Sequence, residues 1–139
     1  MDAVQGAVLG VKLKHLEQWT EKRRCLADRY LDAFRGCALE LPSEAAGRRH
    51  VWRLFVALHP RRDRLREELQ PRGIRTGLHH PIPLHLQEAY AHLGHRAGDF
   101  PVAERIARQC PSLPLFAEMT VREQHAVIEA LAEISRQEL

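Results

Sequence analysis

The stretch GIRTGLHHPIPLHLQEAY, residues 73–90, sets three histidines and two prolines among apolar residues and closes on a tyrosine. Imidazole can ligate a metal, carry a proton near neutral pH or donate a hydrogen bond to an anion. His79, His80, His85, His92 and His95 are spaced poorly for the first task. No HExxH or HxH pair falls on a predicted helix, and no carboxylate sits at a ligand-like offset inside the loop. Adjacent His79 and His80 on an extended segment are expected to point to opposite sides. No metal site is expected. Pro81 and Pro83 restrict the backbone, which suits donors held to meet an anionic ligand, and Arg75 precedes them on the neighbouring strand. From the residues alone, an equal alternative is that His79 and His85 only hydrogen-bond the loop together.

Other chemistry is hard to find. Ser43, Ser112 and Ser135 lie in no GxSxG context, and no cysteine has a histidine neighbour, so no activated nucleophile is legible. RGIRTG has too few glycines to cradle a phosphate, and a strand rather than a helix follows it. Cys25, Cys37 and Cys110 are odd in number and far apart, which argues against a disulfide framework or a cysteine zinc site and for a reducing cytoplasm. The amino end lacks the order of a signal peptide, and the apolar stretches fall short of a membrane span, so no membrane role is expected. The 21 Lys+Arg and 18 Asp+Glu give a net charge of +3. The two signs interleave, as in RRDRLREELQ, and nothing calls for nucleic acid.

The elements that must position the loop follow from periodicity. A chain of 139 residues with 45% hydrophobic content forms one domain with a real core. From Asp2 to about Phe34 no proline occurs, and Val4, Val8, Val11, His15, Trp19, Leu26 and Tyr30 keep roughly helical spacing. One helix of that length reaches about 50 Å at about 1.5 Å per residue, too long for a globule with a radius of gyration near roughly 14 Å. Part of it must lie against something outside this chain. In HVWRLFVALHP, Trp52, Leu54, Val56 and Leu58 alternate as the apolar face of a strand. A helix from about Arg61 to Gln70 ends at Pro71 and Gly73, and IRTGLHH reads as a second short strand. A short helix over Leu84 to Leu93 follows. Asp99 is the expected N-cap of FPVAERIARQC, with Val102, Ile106 and Cys110 as its buried stripe. SLPL is extended, and Thr120 with Glu123 forms a capping box for a last helix whose apolar face is Val127, Leu131 and Ile134. The fold class is α+β: a long amino-terminal helix, then a small, mainly antiparallel sheet with flanking helices.

Five segments in this order, MDAVQGAVLGVKLKHLEQWTEKRRCLADRYLDAF, HVWRLFVALHP, GIRTGLHHPIPLHLQEAY, GDFPVAERIARQC and SLPLFAEMT, resemble the carboxy-terminal part of the DegT/DnrJ/StrS-type nucleotide-sugar aminotransferases. The likeness spans nearly all 139 residues. It implies the small carboxy-terminal domain of a fold-type I, pyridoxal-phosphate enzyme of the aspartate aminotransferase kind. Residues 1–35 would be the connecting helix and 50–139 the small α+β domain, within a single domain of 1–139. The complete enzyme would move an amino group from glutamate to a nucleotide-linked keto-sugar and would work as a dimer.

The resemblance places His79, which matches the first histidine of the family's HYP turn, near the sugar and phosphates. His80 stands where the family has tyrosine, His85 matches the histidine of PLH, and Tyr90 ends the motif. With Arg75 these are the expected substrate-binding residues. No catalytic and no cofactor-binding residue is expected here. The only lysines, Lys12, Lys14 and Lys22, sit among polar residues of the first helix, whereas a Schiff-base lysine needs desolvation. The start also departs from the family's Arg-Met-Asp-Glu-Ile-Gln. The leading expectation is a fragment, inactive alone, whose partners are the missing cofactor domain or second subunit and a homo-oligomeric copy. The rivals are a free-standing module docking on a separately encoded cofactor domain, and a small histidine- or metal-dependent enzyme.

Overall fold

The computed structural model describes residues 2–137. Its elements run α1 (Ala3–Leu13), α2 (Leu16–Ala33), β1 (Phe55–Val56), α3 (Arg62–Leu69), β2 (Gly77–Leu78), α4 (Pro101–Gln109), β3 (Pro111–Leu113) and α5 (Val121–Gln137). Short 3-10 turns cover Gln70–Arg72, Leu84–Leu86 and Glu88–Leu93. The sheet is antiparallel in the order β1-β3-β2, with Phe55 opposite Leu113 and Gly77 opposite Ser112. The α+β class and the three strands hold in the expected order.

One face of the sheet meets α2, α3 and α5. Leu26, Ala27, Tyr30 and Phe34 recur along α2 at helical spacing and close on Phe55 and Leu113 from the sheet, Leu65 and Leu69 from α3, and Val127, Leu131 and Ile134 from α5. Burying each large side chain of this set contributes about 1.5–3 kcal/mol relative to leaving it in water. Tyr30 stacks on Phe34 and tilts against Phe55, while its phenol donates to the Pro114 carbonyl at 2.9 Å. Gln124 Nε2 donates to the Leu26 carbonyl at 2.6 Å, a buried polar tie between α5 and α2. The Thr120–Glu123 capping box forms as expected, with Thr120 N–H donating to Glu123 at 2.7 Å and Glu123 N–H to Thr120 Oγ1 at 3.2 Å.

Four expectations need correction. The long first helix is broken at Lys14–His15, where the chain turns before α2 resumes. No residue of α1 is buried, and Val4, Val8, Leu9, Val11 and Leu13 are all exposed. The strand phase of HVWRLFVALHP flips: Trp52 is buried but has φ 47°, and beyond it Phe55, Ala57 and His59 face the core while Leu54 and Val56 face away. The indole's contacts with His50 and Phe55, and the Trp52 N–H donated to His50 Nδ1 at 2.8 Å, hold that left-handed turn. The segment expected as a helix over Leu84 to Leu93 is two 3-10 turns separated at Gln87, whose ψ is 139°. Finally, Asp99 does not cap α4. Its carboxylate accepts from Arg96 N–H in its own turn at 2.9 Å, and Val102 and Ile106 are exposed where a buried stripe was expected, leaving Glu104, Ala107 and Cys110 inside.

Candidate functional site

The second face of the sheet forms the floor of a groove of about 750 Å³, walled by the histidine loop and α4. Strand alternation puts Val56, Ser112 and Gly77 in one row across this face, since Val56 pairs with Ser112 and Ser112 with Gly77. His79, two residues beyond Gly77, returns to the same face and lays its ring on the glycine. A Cβ at Gly77 would stand 3.0 Å from His79 Nε2. His80 borders the same groove. The extended backbone on which the opposite-sides expectation rests ends at His80, which takes φ 53°. Leu54, Val56, Ile82, Leu84, Phe100 and Ile106 make the remaining walls apolar. Ser112, 5% exposed, has its Oγ in the floor without a hydrogen-bond partner among the described residues.

His85 is held differently. Its Nε2 lies 3.1 Å from Glu104 Oε1, its ring packs on Phe100, and both side chains of the pair are 8% exposed. The same Glu104 oxygen accepts from Gly98 N–H at 2.7 Å and from Phe100 N–H at 3.4 Å. The Gly98 N–H above all holds the Glu104 carboxyl below the usual carboxylate range against the opposing effect of desolvation, with His85 and Phe100 adding to it. An ionised carboxylate only accepts, so the His85 proton in this contact is on Nε2. Gly98 sits at φ 97°, a conformation that a side chain would strain, and this aims its N–H at the carboxylate.

The structure thus brings His79, His80 and His85 to one groove. It does not bring Arg75 or Tyr90 there. Arg75 is exposed and borders a separate cleft with Asp63, Arg66 and Glu67, because residues 74–76 turn back toward α3 through the Ile74 N–H bond to the Leu69 carbonyl. Tyr90 is 43% exposed in the second 3-10 turn. Sequence reasoning missed Glu104. The legible signal was an acid one turn inside a helix that opens with Gly-Asp-Phe-Pro, a place from which a carboxylate can reach back to orphan N–H groups. It also missed a cleft of about 850 Å³ between α2 and residues 51–53 and 115–118, bordered by Trp19, Arg23, Arg53 and Phe116. Among the described residues, no three His, Cys, Asp or Glu side chains gather as a metal would need, and no helix is long and apolar enough to cross a membrane.

This fold recurs as one part of longer solved structures. The chain superposes with a TM-score of 0.94 and 40% identity on Streptomyces venezuelae DesV, solved in complex with a ketimine intermediate, covering 97% of this chain and 37% of that one. The pattern of the DegT/DnrJ/EryC1/StrS aminotransferase family matches residues 1–132, and the chain belongs to that family. It is 40% identical over 139 residues to a pleiotropic regulatory protein of Geobacillus stearothermophilus, covering 98% of this chain and 37% of that protein. It is also 40% identical over 134 residues to the dTDP-3-amino-3,4,6-trideoxy-alpha-D-glucose transaminase of Streptomyces venezuelae, covering 96% and 35% respectively. The chain thus spans little more than a third of the length of these relatives.

The described residues do not fit a pyridoxal phosphate site by themselves. Lys12, Lys14 and Lys22 are all exposed, so none sits in the desolvated pocket that a Schiff-base lysine needs. A phosphate would seek a free helix amino end. The amino ends of α1 and α5 are taken by Asp2 and by the Thr120–Glu123 box, whereas those of α2, α3 and α4 carry no side-chain cap, so the lysines decide the fit.

Proposed function

We propose that this chain is the sugar-nucleotide-facing part of a pyridoxal-phosphate-dependent aminotransferase that moves an amino group from glutamate to a nucleotide-linked keto-sugar. The observation that carries the reading is the histidine loop, His79 and His80 together on a walled groove, in a chain of this family whose three lysines are all exposed. In this reading His79 and His80 donate hydrogen bonds to phosphate or sugar oxygens, and the apolar walls exclude water around them. His85 supports the loop. Arg75 and Tyr90, off the groove, meet the substrate only if another part of the complete enzyme completes their surroundings. The amino-group chemistry rests with residues outside this chain.

The reading assigns residues 1–35 to a connecting element and 50–139 to a small domain. It places the protein in the cytoplasm, with α1 covered by the cofactor-bearing portion or by a second copy. The exposed apolar side chains of α1 support such a partner, whether it belongs to the same chain or is separately encoded. The test is direct. The purified chain is incubated with pyridoxal phosphate, reduced with borohydride and weighed intact, then joined to the missing portion of a relative and assayed for amino transfer to a nucleotide keto-sugar. No adduct alone and activity when joined are expected. A lysine adduct or transamination by the chain alone would overturn the reading.

A further inference from the structure

The two ends of the histidine loop are both held by α4. At one end the Cys110 thiol, at the helix's carboxyl cap, lies 3.7 Å from the His79 carbonyl. At the other, Glu104 in the opening turns of α4 binds His85. The helix is itself fixed to the sheet side of the molecule: Arg62 Nη1 donates to the Ala107 carbonyl at 2.5 Å, His59 N–H to the Gln109 carbonyl at 2.9 Å, and Arg105 pairs with Glu40 at 2.7 Å.

Between the two anchors the chain has little freedom. Pro81 and Pro83 fix two of the intervening φ angles, so a displacement at His85 is passed back toward His80 rather than absorbed. His80 stands at φ 53°, a conformation that a non-glycine residue keeps only where its surroundings over-determine it. The Cys110 and Glu104 anchors lie on either side of it.

We propose that Glu104 is a positioning residue of the candidate site: through His85 it sets the placement of His79 and His80 over the groove. One carboxylate oxygen gathers the turn at Gly98, the residue before α4 at Phe100 and the loop at His85, so the turn into α4 and the loop are fixed together. The claim about placement stands on these contacts. Its consequence for substrate rests on the function proposed above.

The test uses the 139-residue chain with Glu104→Gln and, separately, His85→Phe. The second variant leaves the Gly98 and Phe100 bonds to Glu104 in place and keeps a ring against Phe100, so it does not depend on α4 fraying. Hydrogen exchange is followed at the Leu86 and Gln87 amides, which bond the carbonyls of Pro83 and Leu84, and at the Leu113 amide as a core reference. The ring resonances of His79 and His80, and the His85 Nε2 proton, are read by NMR. The proposal expects a slowly exchanging His85 Nε2 proton in the unaltered chain. It expects loop amides to exchange at least about tenfold faster in both variants, shifted His79 and His80 rings, and unchanged Leu113 protection. Combining the two changes should add nothing to His85→Phe alone at the loop, the non-additivity of residues acting through one bond. Unchanged loop amides and rings in both variants would overturn it. In the enzyme completed with a relative's missing portion, Glu104→Gln should raise KM for the sugar nucleotide and leave the glutamate half-reaction unchanged. A loosened loop with an unaltered sugar half-reaction would uphold the clamp and overturn the functional reading instead.

Discussion

The ring of His79 lies on Gly77, so close that a single methyl group there would stand 3.0 Å from its Nε2. The glycine is part of the site, because the space it leaves empty is the space the imidazole fills.

Gly77→Ala should therefore move the histidine and spare the fold. The contact is with the far end of a side chain that can rotate, and the row neighbour Ser112 Cβ would be at an ordinary 3.6 Å. The expected outcome is a shifted His79 ring resonance with a thermal midpoint close to that of the unaltered chain. A large fall in the midpoint would mean that the close approach serves packing instead.

Stability should fall on the acid side. The carboxyls of Glu104, Glu123, Asp63 and Glu40 are held below their ordinary range, chiefly by the Gly98 N–H, the Thr120 N–H, Arg62 and Arg105 respectively. A carboxyl with a lower pKa in the folded state contributes stability that is fully present above its unfolded value and is lost as pH falls through the folded one. Urea midpoints measured from neutral pH downward should hold level and then drop below the usual carboxylate range. Glu104→Gln should remove part of that drop, and a midpoint that rises on acidification would contradict the account.

Tyr30→Phe tests the core. The phenol donates to the Pro114 carbonyl, and burial pushes its pKa up, so the group is a neutral donor throughout the folded state. Losing one such bond costs about 1 kcal/mol. Chemical denaturation should show a loss of that order with an unchanged m-value. No loss would mean that the Pro114 carbonyl finds another donor.

Much of this arrangement was legible in the residues, and where it was not the cause is tertiary. The Thr120–Glu123 box and the stop at Pro71 and Gly73 are local devices whose partners lie within a few residues, and both stand as read. Trp52 broke the strand phase because placing its indole in the core outweighs the cost of a left-handed backbone, and no two-residue period encodes that. Asp99 and Glu104 are both acids near a helix start, and only Asp99 is expected as its cap. Which one reaches the free N–H groups depends on Gly98 turning, and on His85 arriving from 19 residues away. The expected stripe of Val102 and Ile106 failed for a similar reason. α4 covers the sheet across an open groove, so Ile106 lines that groove instead of filling a core, and Val102 lies outside it in solvent.

The exposed face of α1 should make the isolated chain associate. Val4, Val8 and Val11 recur at helical spacing and each is at least half exposed. Sedimentation across a range of concentrations should show reversible growth in mass, and Val4→Lys with Val8→Lys should return a monomer of unchanged helicity. A chain that stays monomeric at every concentration would count against α1 as a covered surface.

The central claim, that His79 reads the sugar nucleotide while the amino-group chemistry lies elsewhere, is tested most directly by single-turnover rates of both half-reactions. The enzyme for this measurement is completed with the missing portion and carries His79→Ala. A charge-assisted hydrogen bond to phosphate is worth about 1.5–3 kcal/mol, which corresponds to roughly a tenfold to hundredfold loss in kcat/KM for the sugar nucleotide. The account predicts that loss, with the glutamate half-reaction left near its original rate. Equal losses in both half-reactions, or none in either, would contradict it.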